Sequence, residues 1–247
     1  MMCRAGPVEL ASCSFGQSSK VSYLQMLTAV ASIVNGGNLM QPYVVQKAVD
    51  ADGVTLWERE PTVRRRVLSE ETSATMRTLM EGVVTDGTGK NAAVAGYRVG
   101  GKSGTSQKLD SEDSAARIAS FVAVAPIDDP KLAVLVCLDE PHSWTTSGGS
   151  LSAPVCAEVL EKALPYLGIE PQFTEEEQQK LFAQVPDVTG WRTAAAKQKL
   201  AEFGLFARID GDGERVVSQY PLAGTQVRKE SVVILDSTGE NDPALEE

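Results

Sequence analysis

The densest chemistry in the sequence lies in residues 96–108, GYRVGGKSGTSQK, where Lys102, Ser103, Gly104 and Thr105 follow a pair of glycines. An ammonium and two hydroxyls bind oxyanions, and glycine lets a ligand lie against the backbone. Two arrangements give this row a function. In the first, Gly96, Gly101, Lys102 and Ser103 make the phosphate-binding loop of a P-loop NTPase, with residues 132–140, LAVLVCLDE, as its metal-binding strand. That loop works only where lysine and serine open a helix whose free amides hold the phosphates. The next residues, GTSQKLDSEDSA, have almost no apolar period, and NAAVAG ahead of the loop is a weak buried strand. In the second arrangement, which the sequence favours, Lys102, Ser103, Gly104 and Thr105 lie on a strand beside a cleft. Lysine and the hydroxyls then take successive inward positions to hold a carboxylate. A neighbouring backbone amide serves as an oxyanion donor, worth on the order of 3 kcal/mol.

Other catalytic inventories are poorly supplied. His142 is the only histidine, too few for a histidine metal cage and a weak basis for a serine–histidine–aspartate triad, and its loop-like neighbours assign it a structural or solvent role. The four cysteines, Cys3, Cys13, Cys137 and Cys156, lack the close spacing of a zinc or thioredoxin-like site. Cys137 and Cys156 sit in apolar surroundings and read as small core residues. No metal or cofactor is expected. The formal charge of −10 argues against nucleic acid as a partner, because phosphate binding needs clustered positive charge. No segment has the ~20 apolar residues of a membrane helix, and the first sixteen residues lack the apolar core of a signal peptide, so the chain as written is expected to be soluble.

Elements must position the row. Residues 23–35 carry apolar side chains on much of a helical circumference, which belongs inside a sizeable domain, and Gly36 and Gly37 end them. YVVQKAV and GVTLWE flank Asp50 to Gly53 as a hairpin. Ser69 opens a helix with Glu70 and Glu71 in its first turn, broken at DGTGK. GYRVGGKSGTSQK, RIASFVAVAP and KLAVLVCLDEP read as three antiparallel strands. GGSLSAPVCAEVLEKALPYLG then makes a helix with an apolar face at Val155, Val159, Leu160 and Ala163. Residues 173–184 read as an acidic, glutamine-rich linker. Beyond it come a helix with Ala196, Leu200 and Phe203 on one face and three strands, LFARI, RVVSQY and SVVIL. Residues 239–247 end the chain as an acidic, solvated tail.

With these elements in place, GGKSGTSQK resembles the third signature strand of the penicillin-interacting serine transferases. FGQSSKVSYLQMLTAVASIVNGGNLMQPYVV, VVTDGTGKNAAVAGYRVGGKSGTSQK, ASFVAVAPIDDPKLAVLVCLDEP and GGSLSAPV resemble the segments around that strand in class B penicillin-binding proteins, the peptidoglycan transpeptidases. VPDVTGWRTAAAKQKLAEFGL with VVSQYPLAGTQV resembles a PASTA domain, and the combination is similar to sporulation-type members of the class. The likeness covers residues 15–237.

It implies an α/β (α+β) fold: the C-terminal part of a transpeptidase domain, an antiparallel sheet flanked by helices, over residues 1–172. A small αβββ PASTA domain follows over residues 185–238. By the resemblance Lys102 binds the carboxylate region of the substrate and helps proton traffic. Ser103 and Thr105 hydrogen-bond the ligand with Gly104 between them in the binding row, Gly100 and Gly101 allow its close approach or a twist in the strand, and the Thr105 amide is half of the oxyanion hole. Peptidoglycan stem peptides and β-lactams are the implied ligands, at the extracytoplasmic face of the membrane.

The family's other two signatures, serine-x-x-lysine with the nucleophile and serine-x-asparagine, are nowhere in this sequence. They would lie ahead of residue 15, so the resemblance is to the C-terminal portion alone. That portion is expected to be inactive by itself and, lacking the partner strand that LAVLVCL pairs with in the family fold, marginal or oligomeric over its first ~170 residues. The PASTA unit is expected to serve as a spacer; a muropeptide-binding role around Trp191, and hence a non-catalytic wall-binding protein, is the alternative.

Overall fold

The structure, a computed structural model, describes residues 6–14, 16, 20–108 and 111–238. Cys3 and the acidic tail lie outside them. The chain divides between Gln172 and Phe173 into two compact units.

In the first unit a short helix, α1 (Pro7–Cys13), precedes α2 (Tyr23–Val34). Ser22 opens α2 with a capping box, its hydroxyl accepting from the Gln25 amide while the Gln25 side chain accepts from the Ser22 amide. Strands β1 (Asn38–Met40), β2 (Lys47–Val49), β3 (Thr55–Glu58) and β4 (Val63–Arg66) form two antiparallel pairs, β1 with β4 and β2 with β3. The β2–β3 hairpin turns at Asp50, whose carboxylate accepts from the Asp52 and Val54 amides, as its turn residues predict. Ser69 caps α3 (Glu70–Thr85), accepting from Thr72 N at 3.1 Å.

The centre of the unit is a sheet of β5 (Gly100–Gln107), β6 (Arg117–Ala125) and β7 (Leu132–Asp139), antiparallel and in that order, followed by α4 (Gly148–Tyr166). Alternation along β6 sends Phe121, Ala123 and Ala125 to one face, where α4 packs with Ala153, Cys156, Leu160 and Leu164. Val124 points to the other, where Val34 of α2, Met80 of α3 and Ile127 cover it. A three-stranded antiparallel sheet between helices is what the sequence predicts.

Two expectations change. The buried face of α4 is rotated from the predicted one: Leu160 is fully buried, but Val155 and Val159 are exposed and Ala153, Cys156 and Leu164 take the core positions. The N-terminal half of α2, expected inside the domain, leaves Tyr23, Leu24 and Met26 exposed because none of the described elements covers it. Cys156 is fully buried as expected, whereas Cys137, on β7 at the edge of the sheet, is only half-buried.

In the second unit the residues 173–184, read from the sequence as a linker, carry regular structure. Thr174 and Glu177 form a capping box that starts α5 (Glu175–Leu181), and β8 (Phe182–Gln184) continues from it. Next come α6 (Thr193–Glu202), β9 (Phe206–Asp210), β10 (Ser218–Tyr220), β11 (Gln226–Arg228) and β12 (Val232–Asp236). β12 lies between β10, antiparallel, and β9, parallel, and β8 pairs with β11. Ala196 and Leu200 of α6 close over Val185, Val188, Leu205, Val216, Val233 and Leu235. The three expected strands are therefore β9, β10 and β12.

Candidate functional site

β5 is an edge strand. All eight of its residues pair with β6, from Gly100 opposite Val124 to Gln107 opposite Arg117, and among the described residues no strand lies on its other side. Its glycines set how closely the neighbours approach: a Cβ at Gly101 would meet the Phe121 ring at 2.5 Å, and one at Gly100 the Ile127 side chain at 2.6 Å.

Strand alternation sorts the predicted row into two faces. Ser103 and Thr105, opposite Phe121 and Ala119, share the α4 side; Lys102 and Gly104, opposite Val122 and Ser120, lie on the other. The expectation that Lys102 and both hydroxyls point the same way is corrected by this period of two. The Lys102 ammonium turns back along the strand and donates to the Ser103 carbonyl at 2.8 Å.

Two elements reach the hydroxyls. In the loop after α3, Thr88 Oγ1 lies 3.1 Å from Ser103 Oγ. At the start of α4, the Gly148 amide donates to Thr105 Oγ1 at 3.2 Å. Because that bond uses Thr105 as an acceptor, its own O–H stays available to a ligand, beside the positive end of a nineteen-residue helix. Glycine makes the approach possible. A Cβ on Gly148 would overlap the Ser120 carbonyl oxygen, and one on Gly149 the Thr88 carbonyl oxygen. The Asn91 side-chain amide donates to the Gly149 carbonyl at 3.0 Å and ties the loop to the helix.

Lys108, just past β5, bonds Asp139 at 2.9 Å and Glu140 at 3.1 Å at the far end of β7. The hydrogen bond to Asp139, then that to Glu140, pushes its pKa up, so it is a charged clamp across the sheet and not a base. His142 is exposed in the loop before α4. Among the described residues no three His, Cys, Asp or Glu side chains gather as a metal site. No helix among them is long and apolar enough to cross a membrane.

The phosphate-loop alternative fails on its own criterion. Lys102 and Ser103 lie within an eight-residue strand, and the next helix after them starts at Gly148. The extended Lys-Ser-Gly-Thr row at an open sheet edge, with a helix on each face, leaves the transpeptidase likeness to be weighed. Residues 4–161 match the penicillin binding protein transpeptidase domain family.

The chain belongs to that family.

Residues 183–237 of this transpeptidase-family chain match the PASTA domain family. It is 37% identical over 247 residues to stage V sporulation protein D of Bacillus subtilis, covering 97% of this chain and 38% of that protein. It is 36% identical over 180 residues to the probable peptidoglycan D,D-transpeptidase FtsI of Caulobacter vibrioides, covering 65% of this chain and 28% of that one. Among solved structures, the transpeptidase domain of Burkholderia pseudomallei penicillin-binding protein 3 matches with a TM-score of 0.59 and 37% identity, over 69% of this chain and 50% of that one. Penicillin binding protein 2X of Streptococcus thermophilus, at 23% identity and a TM-score of 0.59 over 96% of this chain and 37% of that one, shares the fold. The chain thus spans well under half the length of these curated relatives.

Sequence reasoning found the row but missed its supports. DGTGK reads as a helix breaker, and nothing in its spacing signals that Thr88 meets Ser103 fifteen residues on. GGSLSAPVCAEVLEKALPYLG reads as a helix, but nothing in it signals that the helix starts at Gly148 or that the Gly148 amide meets Thr105.

Proposed function

We propose that the chain is the C-terminal portion of a D,D-transpeptidase that cross-links peptidoglycan stem peptides and binds β-lactams, acting at the extracytoplasmic face of the cell membrane. The observation that carries this reading is the Lys102–Thr105 row on β5, extended and open along its outer edge. An extended peptide can lie there as an added antiparallel strand. Ser103 and Thr105 then meet its carboxylate, Gly104 allows the backbone to approach, and the Thr105 amide faces the carbonyl under attack as one oxyanion donor. Lys102, on the other face, attracts the same carboxylate and stabilises protons in transit.

Acyl transfer also needs a serine nucleophile and its lysine base, and this chain has no serine-x-x-lysine and no serine-x-asparagine. We assign those to a preceding portion of the same domain, which also supplies a strand against the outer edge of β7. Residues 1–172 are then the partial transpeptidase domain and residues 185–238 a PASTA module that acts as a spacer.

Labelling with a fluorescent penicillin tests the reading. The chain alone should take up no covalent label, whereas a protein in which a serine-x-x-lysine segment precedes it should be acylated and should lose most of that reactivity on Lys102→Ala. An unlabelled longer protein, or one indifferent to Lys102→Ala, would overturn the assignment.

A further inference from the structure

We propose that Thr88 is a positioning residue for the ligand-binding hydroxyl of Ser103, an inference that rests on β5 being the substrate strand. A serine hydroxyl on a strand can occupy three staggered rotamers, and only some aim it along the open edge. The 3.1 Å bond to Thr88 Oγ1 selects among them.

Thr88 is suited to this because its side chain is exposed while its backbone is fixed. The Gly89 amide donates to the Val83 carbonyl at 2.9 Å, the Gly87 amide to the Gly82 carbonyl at 3.1 Å, and the Thr88 carbonyl lies against Gly149. Threonine, branched at Cβ, is itself restricted at χ1. The hydroxyl thus stands on a rigid mount and contributes nothing to the core.

The bond also sets polarity. Either oxygen of the Thr88–Ser103 pair can donate. An anionic ligand selects the arrangement in which Thr88 donates, leaving the Ser103 proton for the ligand. Thr105 is already in the equivalent state, since it accepts from Gly148. Two hydroxyls two residues apart on one face are then both acceptors toward the protein and donors toward one carboxylate. The loop after α3 sets one, and the start of α4 sets the other.

The test has two arms. In the full chain, the Hα–Hβ couplings of Ser103 should report one dominant rotamer, become averaged in Thr88→Val and recover in Thr88→Ser. Unchanged couplings in a folded Thr88→Val protein would overturn the proposal. In the longer, nucleophile-bearing protein, Thr88→Val should slow acylation by a carboxylate-bearing penicillin about 2- to 10-fold, the worth of one net hydrogen bond. It should leave acylation by the corresponding methyl ester unchanged and have no further effect in a Ser103→Ala background. Equal losses with acid and ester, or an additive loss in that background, would mark Thr88 as merely structural and refute the role. If the wild-type protein is not acylated at all, the transpeptidase reading falls, and the coupling measurement still judges Thr88.

Discussion

Replacing Gly148 with alanine should destabilise the first unit, against the usual sign for glycine in a helix. In an unobstructed helix, Gly→Ala stabilises by roughly 0.4–1 kcal/mol because the unfolded chain loses freedom. At Gly148 the new methyl would overlap the Ser120 carbonyl oxygen and lie 2.5 Å from that of Gly104. Both are backbone atoms of paired strands and cannot swing aside. The start of α4 must lift instead, which lengthens the 3.2 Å bond from Gly148 N to Thr105 Oγ1. Overpacking costs about 1–3 kcal/mol and the strained hydrogen bond about 1. The net loss is about 1–3 kcal/mol, or a fall in Tm of roughly 2–12 °C for a chain of this size. Gly82→Ala is the matched control. It lies within α3, its Cβ would meet nothing within 4 Å, and it should gain roughly 0.5 kcal/mol. Hydrogen exchange in β5 and β6 reads the effect locally, with the second unit as an internal reference. A Gly148→Ala protein as well protected as wild type in those strands would refute the claim that backbone contact sets the site.

Phe121, fully buried between β6 and α4 and occupying the space a Cβ at Gly89 or Gly101 would need, should cost about 3–5 kcal/mol on truncation to alanine, measured by urea unfolding of the first unit; a loss below 1 kcal/mol would contradict the packing. Burial pushes the Cys156 thiol from 9.0 up to about 11, so iodoacetamide at pH 8 should modify the exposed Cys13 well before it in the native chain. Between about pH 9 and 11 the unfolded state releases this proton first. Stability should therefore fall as pH rises through that window, by on the order of 2 kcal/mol, and Cys156→Ala should remove that share of the slope.

What the sequence made legible follows from how locally each feature is encoded. The Ser69 cap, the Asp50 turn and the β-rich run of β6 are written within a few residues, and each element stands where its pattern places it. α5 is encoded locally as well, in the Thr174–Glu177 box that opens a helix, but the sequence reading does not find it. Its acidic run and missing apolar face outweighed that signal and made it read as linker. The sequence points to a different face of α4 because Val155 and Val159 are more apolar than the small residues beside them. The sheet leaves room there for Ala153 and Cys156, and that is a property of the partner surface. Lys102, Ser103, Gly104 and Thr105 were found by type, but their split into two faces needed the register with β6.

The two edges of the central sheet follow opposite rules, and this ties the fold to the proposed chemistry. An open edge presents unpaired amides and carbonyls, and proteins guard it with charge, glycine or a covering element. β5 is guarded: Lys102 bonds back to its own strand, three glycines and three hydroxyl residues stand where apolar side chains would be, and α4 and the Thr88 loop close on its face. It can accept a short polar strand, as an active-site edge must, without recruiting another sheet. β7 shares the α4 cover on one face but has no glycine and no charge before its last residue. Leu132 through Leu138 are uniformly apolar and half-buried, and among the described residues only Asp139 at its end carries a charge. The exposed apolar half of α2 accompanies it. Sedimentation of the chain alone should therefore show self-association that Leu135→Lys reduces, because a charge at mid-strand opposes edge pairing. A monomer with β7 fully protected from exchange would mean that the edge is already satisfied, and the need for a further strand there would disappear.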